Sequence, residues 1–164
     1  WFVKSLANRA SKAVLRCMPI LLTALLIPRP YGLVLPPDAK TAVLFLLSMI
    51  LGFLVVVAFS MMIYIATFFT LSPLGIRVIS LSLVEFMSGG IIPLPFLPGR
   101  IRSIMELLPF ASMQNAPYRI YSANIAGAAA VSTLSLQLFW VIALTVLGHY
   151  LMSLALKHAV IQGG

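Results

Sequence analysis

Four long apolar stretches, separated by short polar or proline-rich breaks, account for most of the chain. Three occupy residues 13–28, 41–70 and 128–156, and one starts near Ile76 and runs into EFMSGGIIPLPFLPGR at 85–100. None shows the strict alternation of apolar and polar positions typical of a membrane β-barrel strand. Because a backbone in lipid must satisfy its own hydrogen bonds, long continuous apolar runs predict helices. We therefore expect an all-α, polytopic transmembrane helical bundle of four spans, with residues 1–164 forming a single transmembrane domain.

The composition agrees with this pattern. Of the 164 residues, 62% are hydrophobic and only 9% are charged, whereas roughly a quarter of the residues in a soluble domain are charged. The mean hydropathy is +1.10. These values exclude an ordinary soluble protein and make the lipid bilayer the expected environment.

Basic residues are concentrated at the ends of the apolar stretches. Lys4, Arg9 and Lys12 precede the first stretch, Arg16 lies at its start, and Lys157 follows the last stretch. Cytoplasmic segments beside membrane spans carry an excess of Lys and Arg, so we predict that residues 1–12 form a cytoplasmic segment and that both ends of the chain are cytoplasmic. The net charge of +8 fits binding to anionic headgroups. The sequence has no basic patch with interleaved aromatic residues, so this charge does not indicate binding to nucleic acid.

The first apolar stretch has a second interpretation. The chain begins at Trp1 rather than Met, which indicates a fragment or a processed product, and the run from Cys17 to Ile27 has the length of a signal-peptide core. The sequence PRPYG that follows lacks a small-x-small cleavage site, and the basic segment before the run is long. We therefore favour a membrane span.

Residues 93–127 differ from the rest of the chain and hold five of its 11 prolines. Within them, IRSIMELL carries a single apolar stripe with helical spacing, and Arg102 and Glu106 can pair at i,i+4 on another face. Pro109 should end this helix, and Pro117 can begin the next, because a first turn tolerates its missing N–H. We predict a helix–break–helix hairpin that is too short to span, and that either lies in the outer membrane interface or re-enters the membrane from the outer side and returns.

The entrance to this hairpin carries both the break and a charge. Ser88, Gly89 and Gly90 loosen the helix, and the prolines that follow stop a straight helix from resuming. Glu85 lies just before the break, inside an apolar run, where an ionisable group is costly. It either lines a polar pathway or gate, or it pairs structurally with a basic residue on another helix.

Small residues repeat every fourth position in SANIAGAAAVS at 122–132. Ser122, Ala126 and Ala130 form one series, and Ala123 and Gly127 form another. On a helix this spacing allows close approach of a second helix. Packing within the chain and a subunit interface both remain open.

The sequence offers no catalytic or cofactor-binding motif. Phe86 stands where an intramembrane serine protease would need a glycine two positions before Ser88, and His149 and His158 are isolated. His-Glu-x-x-His and the phosphate-binding loop are absent from the sequence, and Cys17 is its single cysteine. We expect no enzymatic activity, no metal site and no bound cofactor.

The stretch FMSGGIIPLPFLPGRIRSIMELLPFASMQNAPYRIY at 86–121 resembles ABC-2 type transporter permeases, in particular the bacterial multidrug or antibiotic exporter-like subfamily. The matching pieces are, in order, Ser88-Gly89, Pro93-Leu94, Pro98, Leu108-Pro109-Phe110, Pro117 and the ending Gln162-Gly163-Gly164. The pieces are common, but their order and spacing are more specific. The resemblance covers essentially the whole chain.

The resemblance implies that this chain is the C-terminal part of a six-span permease in the bacterial inner (plasma) membrane, exporting an amphiphilic or drug-like substrate. It implies two partners, a separate ABC ATPase subunit that binds ATP and a second permease subunit in a homo- or heterodimer. The implied gate or translocation residues are Glu85, Ser88, Gly89, Gly90, Pro93, Pro98, Pro109 and Phe110. The candidate contacts with the ATPase are Asn8, Arg9, Ser72 and Pro73.

Two other classes of protein remain as alternatives. One is a non-transporting membrane scaffold or assembly protein, which has less need of broken helices or an intramembrane carboxylate. The other is a secondary transporter fragment, which would normally show an inverted repeat with a second broken helix. The sequence contains one such break.

Overall fold

The computed structural model describes residues 2–28, 34–70 and 72–158. Over these residues the protein is all-helical, without strands, which confirms the predicted class. The α-helices are α1 Phe2–Leu26, α2 Ala39–Thr67, α3 Pro73–Met87, α4 Gly99–Leu107, α5 Pro109–Met113, α6 Asn115–Tyr121 and α7 Gly127–His158, with a 3-10 turn at Leu94–Phe96. The predicted ending Gln162-Gly163-Gly164 lies outside the described residues.

Helices α2 and α7 are the two described helices long and apolar enough to cross a membrane. They lie side by side and run in the same direction. Ser48 bonds to Gln137 in the first half of both helices, and the sulfur of Met62 lies 3.8 Å from the Cβ position of Gly148 farther along. At 1.5 Å per residue they extend roughly 44 and 48 Å, so both must tilt within or project beyond a ~30 Å hydrocarbon core.

The start of α2 is capped by Asp38, which accepts a hydrogen bond from the backbone N–H of Thr41 at 2.9 Å. Hydrogen bonds from the Thr41 side chain and backbone hold the pKa of the Asp38 carboxyl below its usual range. Farther down, Val55, Ala58 and Leu144 form a buried cluster between α2 and α7. The cap fixes where the helix begins, and the cluster fixes how it pairs.

Because α2 and α7 are parallel, the chain between them must return from the end of one to the start of the other. Helix α3 begins this return, capped by Ser72, whose hydroxyl oxygen accepts a hydrogen bond from the N–H of Gly75 at 3.3 Å. It has 15 residues, roughly 22 Å, and is shorter than the ~20 residues that a complete crossing needs. The short elements between residues 88 and 126 complete the return.

The two remaining predicted spans stay predictions. Residues 13–26 belong to α1, a 25-residue helix that starts at Phe2 and contains Pro19. Residues 2–12, predicted as a cytoplasmic segment, are therefore the first turns of that same helix. Most of α1 is exposed in the chain, with Leu26 82% exposed.

The proline-bounded hairpin follows the predicted outline with one difference. Helix α4 ends at Leu107, and the extended Leu108 leads directly into α5, whose first residue is Pro109. Pro109 therefore both ends one helix and begins the next. Pro117 is the third residue of α6 rather than its first, but it still lies in the first turn, where its missing N–H is tolerated.

The small-residue pattern at 122–132 does not form one helix face, so that expectation is wrong for its first half. Residues 122–126 form a turn, and α7 starts at Gly127. Ala123 and Gly127 have φ values of +55° and +57°, which a continuous helix does not allow. Of the first series only Ala130 lies on α7, where it is fully buried.

Candidate functional site

A buried polar cluster joins the broken segment to the two long helices. The side-chain amide of Gln137 on α7 donates hydrogen bonds to the carbonyl oxygens of Ser48, at 3.1 Å, and Ser112, at 2.8 Å. The hydroxyl of Ser48 donates to the Gln137 side-chain oxygen at 3.0 Å. Gln137 and Ser48 are fully buried, and Ser112 on α5 is 2% exposed. No fully buried side-chain polar atom among the described residues lacks a partner, so the cluster stabilises one arrangement of three helices.

The cluster lies deep along both long helices. Ser48 is nine residues from the start of α2 and Gln137 ten residues from the start of α7, roughly 14 and 15 Å along each axis. Helix α5 therefore packs inside a ~30 Å hydrocarbon core rather than at its surface if the two helices cross it with their midpoints at its centre.

Gly52 provides the space for this contact. A Cβ atom at Gly52 would lie 3.0 Å from the carbonyl oxygens of both Ser112 and Met113. Both oxygens belong to the backbone and cannot rotate away. Glycine therefore lets the backbone of α5 lie directly against α2.

The serine–glycine break after α3 packs against the second break, between α5 and α6. The Ser88 hydroxyl donates to the side-chain oxygen of Gln114 at 3.2 Å, and Gly89 has a φ of +86°. A Cβ at Gly90 would lie 3.1 Å from the carbonyl oxygen of Glu85 and 3.4 Å from the Gln114 side-chain oxygen. The left-handed conformation at Gly89 and the close approach at Gly90 both favour glycine.

The other proposed gate residues shape the segment between these breaks. Pro93 precedes the 3-10 turn and Pro98 precedes α4, both with extended backbone. Pro109 is buried, and the Phe110 ring packs edge-on against Phe59 of α2 with centroids 5.3 Å apart. The segment therefore has fixed contacts with α2 and is not a free loop.

Helix α4 runs toward the middle of α7, and α6 runs back toward the start of α2. Trp140 donates its indole N–H to the carbonyl of Leu107 at 2.9 Å, at the end of α4. At the end of α6, the Tyr121 ring lies 4.9 Å from that of Phe45, and its hydroxyl donates to the carbonyl of Val34. Helices α4, α5 and α6 thus form a hairpin whose tip is α5.

One carboxylate holds the two arms of this hairpin together. Glu106 Oε1 accepts from Arg102 Nε at 2.8 Å, which confirms the predicted i,i+4 pair, and from Arg119 Nη1 at 2.5 Å. Arg119 also donates from Nε to the side-chain oxygen of Asn124 at 3.1 Å. A cavity of about 440 Å³ lies beside Glu106 and Arg119 and extends to Thr133 on α7. The lining of this cavity is mostly apolar, and Glu106 and Arg119 make its polar end the part of the hairpin suited to hold water or a polar group.

Glu85 lies apart from these contacts. Its side chain is exposed in the chain, and its carboxylate has no hydrogen bond or ion pair with another described residue. The described residues therefore offer no structural partner for it within this chain.

Only two of the four residues expected to contact the ATPase lie at the same cavity. Arg9 of α1 and Pro73 of α3 line a second cavity, of about 490 Å³, beside the C-terminal half of α2. Ser72 caps α3 and Asn8 is exposed. The cavity was not foreseen from the sequence.

The residues that anchor the hairpin are not among those predicted from the sequence. Gln137 is an amide inside an otherwise apolar run, and this unusual position could have revealed it, because polar groups at membrane depth usually bind something. Gly52 has no comparable signal, since its role depends on which backbone lies opposite. Over residues 2–28, 34–70 and 72–158 no cluster of His, Cys, Asp and Glu could hold a metal ion.

The fold and the site define an all-helical membrane protein in which a broken segment packs between two parallel membrane-length helices. The sequence matches the family described as ABC-2 family transporter protein over residues 4–163, nearly the whole chain. The chain therefore belongs to the ABC-2 transporter family, as its resemblance implied. No curated protein and no solved structure matches it.

Proposed function

We propose that this chain is a membrane-spanning permease subunit of an ABC exporter, driven by ATP hydrolysis in a separate subunit. The observation that carries the proposal is the hairpin α4–α6, held against α2 at Gly52 and against α7 at Gln137, at membrane depth. Non-helical backbone at this depth is tolerated only against protein or water. A scaffold has no need to maintain such an arrangement, whereas a transporter needs it where its pathway opens and closes.

The hairpin is the proposed gate, re-entering from the outer side between the third and fourth spans. Two features support this role. Its tip contacts both long helices through Phe110 and Ser112, and its arms are joined by the Glu106–Arg119 ion pair. A change in the separation of α2 and α7 would therefore move the tip. We propose that Ser88, Gly89 and Gly90 supply the joint at which α3 follows this movement.

The energy is proposed to come from a partner, because the sequence contains no phosphate-binding loop. The proposed contact lies at the cytoplasmic side, near Arg9 and the turn at Ser72–Pro73. The substrate is proposed to be amphiphilic or drug-like, on the strength of the resemblance. The chain itself is proposed to be non-catalytic and to hold no cofactor.

Purification from the native membrane tests the partner. The tagged protein should recover a P-loop ATPase, identified by mass spectrometry, whose hydrolysis rate in proteoliposomes rises when this protein is present. Replacing the P-loop lysine of that ATPase should abolish export while both subunits remain in the membrane. Export that continues without the ATPase, driven by an ion gradient, would establish the secondary-transporter alternative instead.

A further inference from the structure

The second cavity lies at the opposite end of the bundle from the hairpin's connection to α7. It has a volume of about 490 Å³ and is bordered by α1, the C-terminal half of α2, α3 and the last residue of α5. This size is within the range of about 300–1,000 Å³ typical of small-molecule sites. The chain thus has a second concave site, which the gate hairpin borders only through Met113 at the end of α5.

The cavity is amphipathic along its length. Arg77 and Leu74 line it near the start of α3, and Thr67 lines it at the end of α2. Val56, Val84 and Met113 line it farther into the bundle. A ligand that follows the cavity would pass from charged groups at the membrane surface to apolar walls inside it.

The two arginines of this cavity have no carboxylate in the described part of the chain. Arg9 and Arg77 make no ion pair there: Glu106 is occupied by Arg102 and Arg119, and Glu85, two turns after Arg77 on α3, pairs with neither arginine. Asp38 caps the opposite end of α2. Two guanidinium groups that open on one apolar cavity form a site for an anion carrying a hydrocarbon part.

We infer that this cavity binds an anionic phospholipid, with the phosphate held by Arg9 and Arg77 and an acyl chain along Val56, Val84 and Met113. The inference rests on the proposed membrane orientation, in which this end of the bundle faces the cytoplasm. There, anionic lipids attract basic groups close to the membrane surface. A soluble anion would satisfy the arginines but leave the apolar walls unfilled.

Lipid binding can be measured without any transport assay. The protein is placed in bilayer nanodiscs that contain equal amounts of phosphatidylglycerol and phosphatidylcholine, then released and weighed by native mass spectrometry with its retained lipids. Arg9→Gln and Arg77→Gln should each lower retained phosphatidylglycerol roughly tenfold, because each removes a charge-assisted hydrogen bond. Lys12→Gln and Arg100→Gln remove one charge each from α1 and α4 outside the cavity, and should retain it at the wild-type level.

A third variant tests the apolar part of the site. Leu81 lines the cavity from α3 but is half exposed, so Leu81→Trp should fill space without disturbing packing inside the chain. It should reduce phosphatidylglycerol retention while both arginines remain. Added inorganic phosphate at millimolar concentration should not displace the lipid, because it lacks an acyl chain.

Three results would overturn the inference. The first is equal retention in wild type and in both cavity arginine variants. The second is an equal loss in Lys12→Gln, which would mean that general basic charge attracts the lipid. The third is displacement by phosphate alone, which would define a simple anion site. None of these results would affect the recovery of an ATPase partner, so the exporter proposal would stand or fall separately.

Discussion

Gln137 is the residue on which the packing of the hairpin depends most directly. Its amide makes three hydrogen bonds to Ser48 and Ser112 in a fully buried position. Gln137→Leu should destabilise the protein by about 1–3 kcal/mol, because it leaves buried polar groups without partners. Unfolding in detergent, followed by circular dichroism, measures this loss. Thr145→Leu is the matched control, since Thr145 is exposed on the same helix, and a Gln137→Leu variant as stable as this control would contradict the anchoring role.

A substitution at Gly52 tests how closely α5 approaches α2. Gly52→Ala should cost about 1 kcal/mol or more, since the new methyl group meets two carbonyl oxygens at 3.0 Å and α5 must move. Gly99→Ala is the control, because a Cβ there meets nothing within 4 Å. Both variants are compared by the denaturant midpoint for unfolding. Equal midpoints would mean that α5 does not pack on α2 as described.

A substitution at Glu85 can distinguish a role in a polar pathway from a structural role. With no partner among the described residues of the chain, Glu85→Gln should change the free energy of unfolding by less than about 0.5 kcal/mol. Export by the complete transporter should change if the carboxylate lines a polar route. A marked loss of folded protein would instead indicate an ion pair that forms within the assembled protein. Unchanged export together with unchanged stability would leave Glu85 without either role.

The two arms of the hairpin, α4 and α6, are held together by the carboxylate of Glu106. Glu106→Gln removes the ion pairs to Arg102 and Arg119, both of which have partly exposed side chains. The variant should lose about 1 kcal/mol, and hydrogen exchange should increase in α4 and α6 while α2 remains protected. High salt should produce a weaker version of the same change in the wild type. Arg100→Gln, on the exposed side of α4, should leave the exchange unaltered.

The topology of the whole molecule follows from the parallel course of α2 and α7. If both cross the membrane, the start of α2, the hairpin ends and the start of α7 lie on one side, and the turn before α3 lies on the other. In a Cys17→Ser background, single cysteines at Ser103 and Ser122 should react with an impermeant thiol reagent from outside intact cells. A cysteine at Ser72 should react only after the membrane is permeabilised. Labelling of Ser103 and Ser122 from opposite sides would mean that the hairpin crosses.

Much of this architecture could be predicted from the order of residues alone. The helical membrane class follows from long apolar runs, since lipid leaves the backbone no other means of satisfying its hydrogen bonds. The Arg102–Glu106 pair follows from helical spacing. The left-handed turn after Ser88 follows from consecutive glycines, which alone adopt that conformation without strain. These are local properties, determined by a few consecutive residues.

The tertiary structure decided what the local pattern leaves open. The serine–glycine break after α3 packs against Gln114, 26 residues after Ser88, a partner that the glycines themselves do not specify. The series Ser122, Ala126 and Ala130 has helical spacing, yet a turn at 122–126 divides it. Gln137, Gly52 and the pairing of Arg119 with Glu106 acquire their roles only through groups distant in the sequence. Composition determined that this chain enters a membrane. The contacts of its broken segment depend on which backbones approach each other. The spacing of residues along the chain does not specify those approaches, because they join groups that are distant in the sequence.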